Sequence, residues 1–126
     1  MKNFDSIPMN RRKIGADKEG LALRYLEALG YRIIERNFRN RIGEIDLIGI
    51  EGSELAFIEV KYRKDDRYGY PSFSVGKKKQ STISKVALYF LAIHPQYAGF
   101  QCRFDVVCIM KSEITLYRNA FEYRGR

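Results

Sequence analysis

Two neighbouring apolar segments of this chain carry charges that an ordinary core strand would not hold. Gly43-Glu44-Ile45-Asp46-Leu47-Ile48 and Phe57-Ile58-Glu59-Val60-Lys61 flank the turn-forming Glu51-Gly52-Ser53-Glu54. Their richness in Ile, Leu, Val and Phe predicts two adjacent strands. Residues i and i+2 of a strand share a face, roughly 6–7 Å apart. Glu59 and Lys61 therefore project together, and Asp46 meets them from the neighbouring strand. Two carboxylates beside an ammonium are costly to desolvate unless something compensates them. At about 5 Å and an effective dielectric of ~20 the carboxylates repel by about 3 kcal/mol, which a divalent metal would offset. That combination suits the cutting of a phosphodiester. The competing account is a cross-strand ion-pair set on an exposed sheet face, worth under ~1 kcal/mol. Against it stand the expected central position of the Glu59 strand, the close backbone approach that Gly43 permits, and the basic segments on either side.

Those basic segments are Arg11-Arg12-Lys13, Arg36 to Arg41, Lys61 to Arg67 and Lys77-Lys78-Lys79, in a chain of formal net charge +8. A surplus of this kind indicates an anionic partner, with nucleic acid the leading candidate and simple solubility charge the alternative. Arg39, Arg41, Arg63, Lys77, Lys78 and Lys79 are the candidate nucleic-acid contacts. The 126 residues, 45% hydrophobic with 9 Tyr and 8 Phe, suit one domain, 1–126, with a real core. No apolar run reaches membrane-spanning length, and Met1 to Asn10 lacks the apolar core of a signal peptide. The expectation is a cytoplasmic protein with no membrane partner. Cys102 and Cys108, on one strand ~20 Å apart, cannot form a disulfide and are expected to be reduced and buried. His94 is the single histidine, beside Pro95 at a helix end, which disfavours zinc-cluster or histidine-nucleophile chemistry.

Ile14 to Leu29 reads as an amphipathic helix closed by Gly30, with Glu19 at the edge of its apolar stripe. Glu19 is either solvated or turned toward the strand carboxylates. Residues 1–13 read as a flexible basic tail. A strand over Tyr31 to Phe38 precedes the two charged strands. The loop 63–76 carries Tyr68, Tyr70 and Phe73, which could stack on bases or fold back as a small cluster. A second helix is expected from Lys77 to Ile93, its first turn turning Lys79 and Gln80 toward the sheet and Lys77 and Lys78 outward. Strands over Phe100 to Met110 and Ile114 to Tyr117 complete the chain. This order gives an α/β domain: a mixed central sheet with a helix on each side.

The order, with Asp46 thirteen residues before Glu59-Val60-Lys61, resembles the PD-(D/E)XK, restriction-endonuclease-like nuclease superfamily with its αβββαβ core. More closely, the chain resembles the YraN-like family of small bacterial proteins, which look like Holliday-junction resolvases. The segments that carry this resemblance are Gly15 to Glu19, Gly43 to Ile48, Phe57 to Lys61 with Arg63, Tyr68-Gly69, Ser74-Val75, Lys79-Gln80, Arg103 to Val107 and Asn119-Ala120-Phe121. The resemblance implies that Asp46 and Glu59 bind Mg2+, with Mn2+ as a substitute, joined by the backbone carbonyl of Val60 and by Glu19. It implies that Lys61 orients or deprotonates the attacking water, and that Gln80 and Lys79 contact that water or the phosphate. The superfamily's Pro-Asp pair is Ile45-Asp46 here. The implied activity is a metal-dependent endonuclease acting on DNA, including branched or otherwise structured DNA, with a homodimer as a further implied feature. The alternative is a non-catalytic nucleic-acid-binding module within a recombination, repair or DNA-uptake complex. Asp105 has no catalytic counterpart and is expected to make a structural ion pair.

Overall fold

A computed structural model of the chain describes the main chain of residues 4–8 and, in full, residues 18–63, 75–110 and 113–124. The Arg11-Arg12-Lys13 cluster, the start of the first helix before Lys18, and Tyr68, Tyr70 and Phe73 lie outside the described residues. Within them the chain runs β1 (Phe4–Pro8), α1 (Lys18–Ala28), β2 (Arg32–Arg39), β3 (Glu44–Glu51), β4 (Glu54–Arg63), α2 (Lys77–Ile93), a 3-10 turn (Pro95–Tyr97), β5 (Gln101–Met110) and β6 (Glu113–Phe121). The six strands form one sheet in the order β1-β6-β5-β4-β3-β2. Every pairing is antiparallel except β4 with β5, which α2 connects. From α1 to β5 this is a mixed restriction-endonuclease-like αβββαβ core, as expected.

Alternation along β4 shows why both sheet faces are covered. Leu55 and Phe57 join Ile83, Val86 and Phe90 of α2 in one core, whereas Ala56 and Ile58 join Leu21, Ala22 and Leu26 of α1 in the other. A strand apolar on both sides is stable only between two layers, and each helix supplies one. Gly30 ends α1 at φ 105°, a left-handed conformation that a side chain would strain. At the end of α2 the ring of His94 stacks on Phe90 with centroids 4.0 Å apart, and its Nδ1 lies 2.9 Å from the Phe90 carbonyl oxygen. The histidine is part of the packing.

Three features differ from the sequence reading. Phe4–Pro8 pairs with β6 as an edge strand inside the segment expected to be a tail, and Pro8 is tolerated because an edge strand leaves one side unbonded. The last strand reaches Phe121 rather than ending near Tyr117. The β5–β6 register shifts between Phe104 and Val106, and the Asp105 carboxylate takes the Asn119 N–H at 2.9 Å, so polar residues are carried within the strand. Both cysteines are free, but only Cys108 is buried; Cys102 sits at the opening of β5, where it and Gln101 are exposed.

Candidate active site

Strands β3 and β4 pair from Glu51 opposite Glu54 as far as Leu47 opposite Ile58 and no further. Beyond that point Glu44 and Ile45 pair with β2, while Glu59 to Arg63 pair with β5. The two strands fork, and Asp46 stands in the fork. Its Oδ2 accepts the Val60 N–H at 2.8 Å, taking up a β4 donor where the β3–β4 ladder has stopped. The start of β3 is held against α2 by its glycine: a Cβ on Gly43 would come within 2.5 Å of Thr82 Cγ2. Asn40 braces the preceding turn, its Oδ1 accepting the N–H groups of Ile42 at 2.8 Å and Gly43 at 3.2 Å.

The fork concentrates negative charge. Burial, then the charge of Glu59, pushes the Asp46 carboxyl up to about 7; the Val60 hydrogen bond opposes this, while Glu19 and Glu44 add to it. Glu59 is 13% exposed, and Lys79 of α2, 53% exposed, lies 3.4 Å from it. Lys61, two residues along β4, is half-buried; burial first, then the Arg63 charge, pulls its ammonium below the ordinary lysine value. A half-buried Glu19 opens α1, and next to it the Lys18 ammonium sits 5.4 Å from the centre of the Tyr62 ring at the far end of β4.

The structure thus brings together Asp46, Glu59, Val60, Lys61 and Lys79, with Glu19 acting on Asp46 through its charge. It does not bring the Gln80 amide with them. Gln80 Nε2 donates to the Val75 carbonyl at 2.7 Å, and Oε1 accepts from Arg124 Nε at 3.3 Å. Among the described residues no three His, Cys, Asp or Glu side chains stand at metal-binding spacing. Of the basic contacts, Arg39 pairs with Glu44 at 3.2 Å beside the exposed Arg41, and Lys77 and Lys78 are exposed on the first turn of α2. Arg63 closes β4 half-buried, with no hydrogen-bond partner for its buried Nε among the described residues. Sequence reasoning missed two participants. Glu44 adds to the field at Asp46, two residues along β3, and the i, i+2 spacing of a strand is the signal that could have found it. Arg124 reaches Gln80 from the end of the chain, and no local pattern announces such a contact.

Asp105 is a structural residue, as expected. It is fully buried, accepts a hydrogen bond from the Tyr31 hydroxyl at 2.7 Å, and pairs with Arg103 at 3.1 Å. Arg103 also binds Glu51 and Glu54, and Arg118 holds Glu51 at 2.8 Å. This ionic clamp closes the hairpin end of β3 and β4, away from the fork.

The chain is similar along most of its length to bacterial proteins of one kind. It is 42% identical to a UPF0102 protein of Lachnoclostridium phytofermentans over 93% of this chain and 99% of the relative. It is 45% identical to one of Syntrophus aciditrophicus (82% and 84%) and 44% identical to one of Caldicellulosiruptor bescii (90% and 100%). The pattern of the uncharacterised protein family UPF0102 matches residues 18–109, from the helix bearing Glu19 to the end of β5. That span holds every residue of the fork, and the chain belongs to this family.

Proposed function

We propose that the protein is a metal-dependent nuclease that hydrolyses phosphodiester bonds of DNA, branched or otherwise structured DNA included. The observation that carries this reading is the half-buried Asp46 carboxyl in the β3–β4 fork, held on the Val60 N–H and pressed by the charges of Glu59 and Glu19. Excess negative charge of this kind, partly withdrawn from water, fits a hard divalent cation. Asp46, Glu59 and the main-chain carbonyl of Val60 would hold it, and two carboxylates with several waters suit magnesium, with manganese as a substitute. When bound, the ion supplies charge neutralisation at the phosphate and acidifies a water.

The chain's own groups supply the rest. Lys61, its proton affinity reduced by burial, positions the attacking water and is suited to accept its proton. Lys79 holds the Glu59 carboxylate from α2 and faces incoming phosphate charge. Lys77 and Lys78 extend that positive surface along the helix. Gln80 enters this scheme as the brace between Val75 and Arg124 rather than as a contact to water.

The test is cleavage of linear duplex, single-stranded and four-way-junction DNA in magnesium, manganese or EDTA. Wild type is compared with Asp46→Asn and Glu59→Gln. Metal-dependent cutting lost in both variants is the expected result, and undiminished cutting by Glu59→Gln refutes the assignment. A second reading, a binding module without turnover, is favoured by one observation: the described carboxylates form no three-ligand group. Salt-dependent DNA binding with no cutting in any metal would establish it.

A further inference from the structure

A second feature lies on the outer side of α2. A groove of about 1020 Å³ is lined by Lys77, Lys78, Ser81, Thr82, Lys85, Tyr123 and Arg124. Four of these side chains are cationic and none is acidic, an imbalance that attracts polyanions. Lys77, Lys78, Ser81 and Lys85 follow the i, i+1, i+4, i+8 spacing of one helical stripe, roughly 12 Å long at 1.5 Å per residue. The opposite wall is the C-terminal segment, pinned to the helix twice. The Arg124 N–H donates to Ser84 Oγ at 2.8 Å, and its guanidinium donates to Gln80 at 3.3 Å. Tyr123 stands beside these cations with 56% of its surface exposed. Lys79, next to Lys78 on the same turn, reaches Glu59 of the fork.

We propose that this groove binds a single-stranded segment of nucleic acid, its phosphates held by Lys77, Lys78, Lys85 and Arg124 and one base stacked on Tyr123. The inference rests on the nuclease reading only in taking nucleic acid as the ligand. A row of cations tracking a backbone, with an aromatic ring alongside, is the arrangement by which proteins hold unpaired strands. A duplex offers this groove phosphates but no base face for the ring. Phosphate contacts and ring stacking are open to every base, so the groove reads strand form rather than sequence.

Binding is measured by fluorescence anisotropy with labelled single strands of two unrelated sequences and with their duplexes. The full chain is used in EDTA, so that nothing is cut, between 50 and 200 mM salt. Tighter binding of both single strands than of duplex is expected. Lys85→Ala should weaken both sequences alike and reduce the salt slope by about 0.7, and Lys85→Arg should restore it. Tyr123→Leu should weaken single-strand binding at least about fivefold with the slope unchanged and duplex binding unaffected. Both positions are exposed, so neither substitution threatens the fold. Wild-type affinity in both variants, or a preference for duplex that Tyr123→Leu leaves intact, overturns the proposal. If wild type binds no nucleic acid in EDTA, this proposal falls, and cleavage in magnesium decides the nuclease reading separately. If it binds as described but cuts in no metal, only the nuclease reading falls.

Discussion

Asp46→Asn should make the folded protein more stable at neutral and alkaline pH. The Asp46 carboxyl has an ordinary value of 3.8 and is pushed up to about 7 in the fold, first by burial and then by Glu59. Folding raises this value, so the folded chain binds the proton more tightly than the unfolded one. The contribution of Asp46 to stability is therefore greatest below about pH 4, declines as pH rises, and levels off above about pH 7. A difference of roughly 3 units sets an upper limit of about 4 kcal/mol on the cost of the ionised form. Glu59 shares the repulsion and water reaches part of the pair, so about 2–4 kcal/mol is the expected gain for asparagine at pH 8. Asparagine keeps an oxygen for the Val60 N–H and removes the charge. By pH 4 the gain should shrink to under about 1 kcal/mol. Urea unfolding of wild type and Asp46→Asn at pH 4, 6 and 8 in EDTA measures this directly. Repeating it in magnesium should stabilise wild type more than the variant, because the ion relieves the same repulsion. An Asp46→Asn protein no more stable than wild type at pH 8 in EDTA would refute the reasoning.

Gly43→Ala should destabilise by about 1–3 kcal/mol, since its Cβ would meet Thr82 Cγ2 at 2.5 Å in a packed contact between β3 and α2. An unchanged urea midpoint would show that α2 yields at no cost. Arg103→Ala should cost about 3–5 kcal/mol by leaving the fully buried Asp105 without its cation, and a loss below about 1 kcal/mol in the same assay would contradict the clamp's role. Lys61→Ala should abolish cleavage in the assay described above while leaving the urea midpoint near wild type; cutting at the wild-type rate would remove Lys61 from the mechanism.

Much of this architecture was legible because period and punctuation agree locally. The second helix runs from Lys77 to Ile93, bounded as expected by Gly76 and His94-Pro95. The charged strands were legible because an acid inside an apolar run stands out wherever the run folds. What local pattern does not encode is how two strands separate. Asp46 and Glu59 read as cross-strand neighbours, yet their positions lie just past the last β3–β4 pair, and it is the fork that lets Asp46 turn onto the Val60 N–H. The Gln80 amide looked free to face the site because its partners, the Val75 carbonyl and Arg124, are one backbone atom and one residue forty-four positions away. The edge strand Phe4–Pro8 escaped for a related reason: its five residues carry no alternation, and its existence depends on the outer edge of β6.

The two ends of the β3–β4 pair solve opposite electrostatic problems with similar residues. At the hairpin end Glu51, Glu54 and Asp105 are matched by Arg103 and Arg118, and the hydrogen-bond demand of the buried carboxylate is met by Tyr31 and by the Asn119 N–H. At the fork Asp46 is pressed by Glu59, Glu19 and Glu44, and the cation reaching Glu59, Lys79, is half in water. Folding could relieve the fork as it relieves the clamp, by one arginine in place of Lys79. Leaving it strained costs stability that the core and the clamp must offset, and strain of this kind clusters at functional sites. A cation bound at the fork would gain from the same repulsion that weakens the apo protein. The stability that Asp46→Asn recovers in EDTA therefore measures the repulsion that such a cation would relieve.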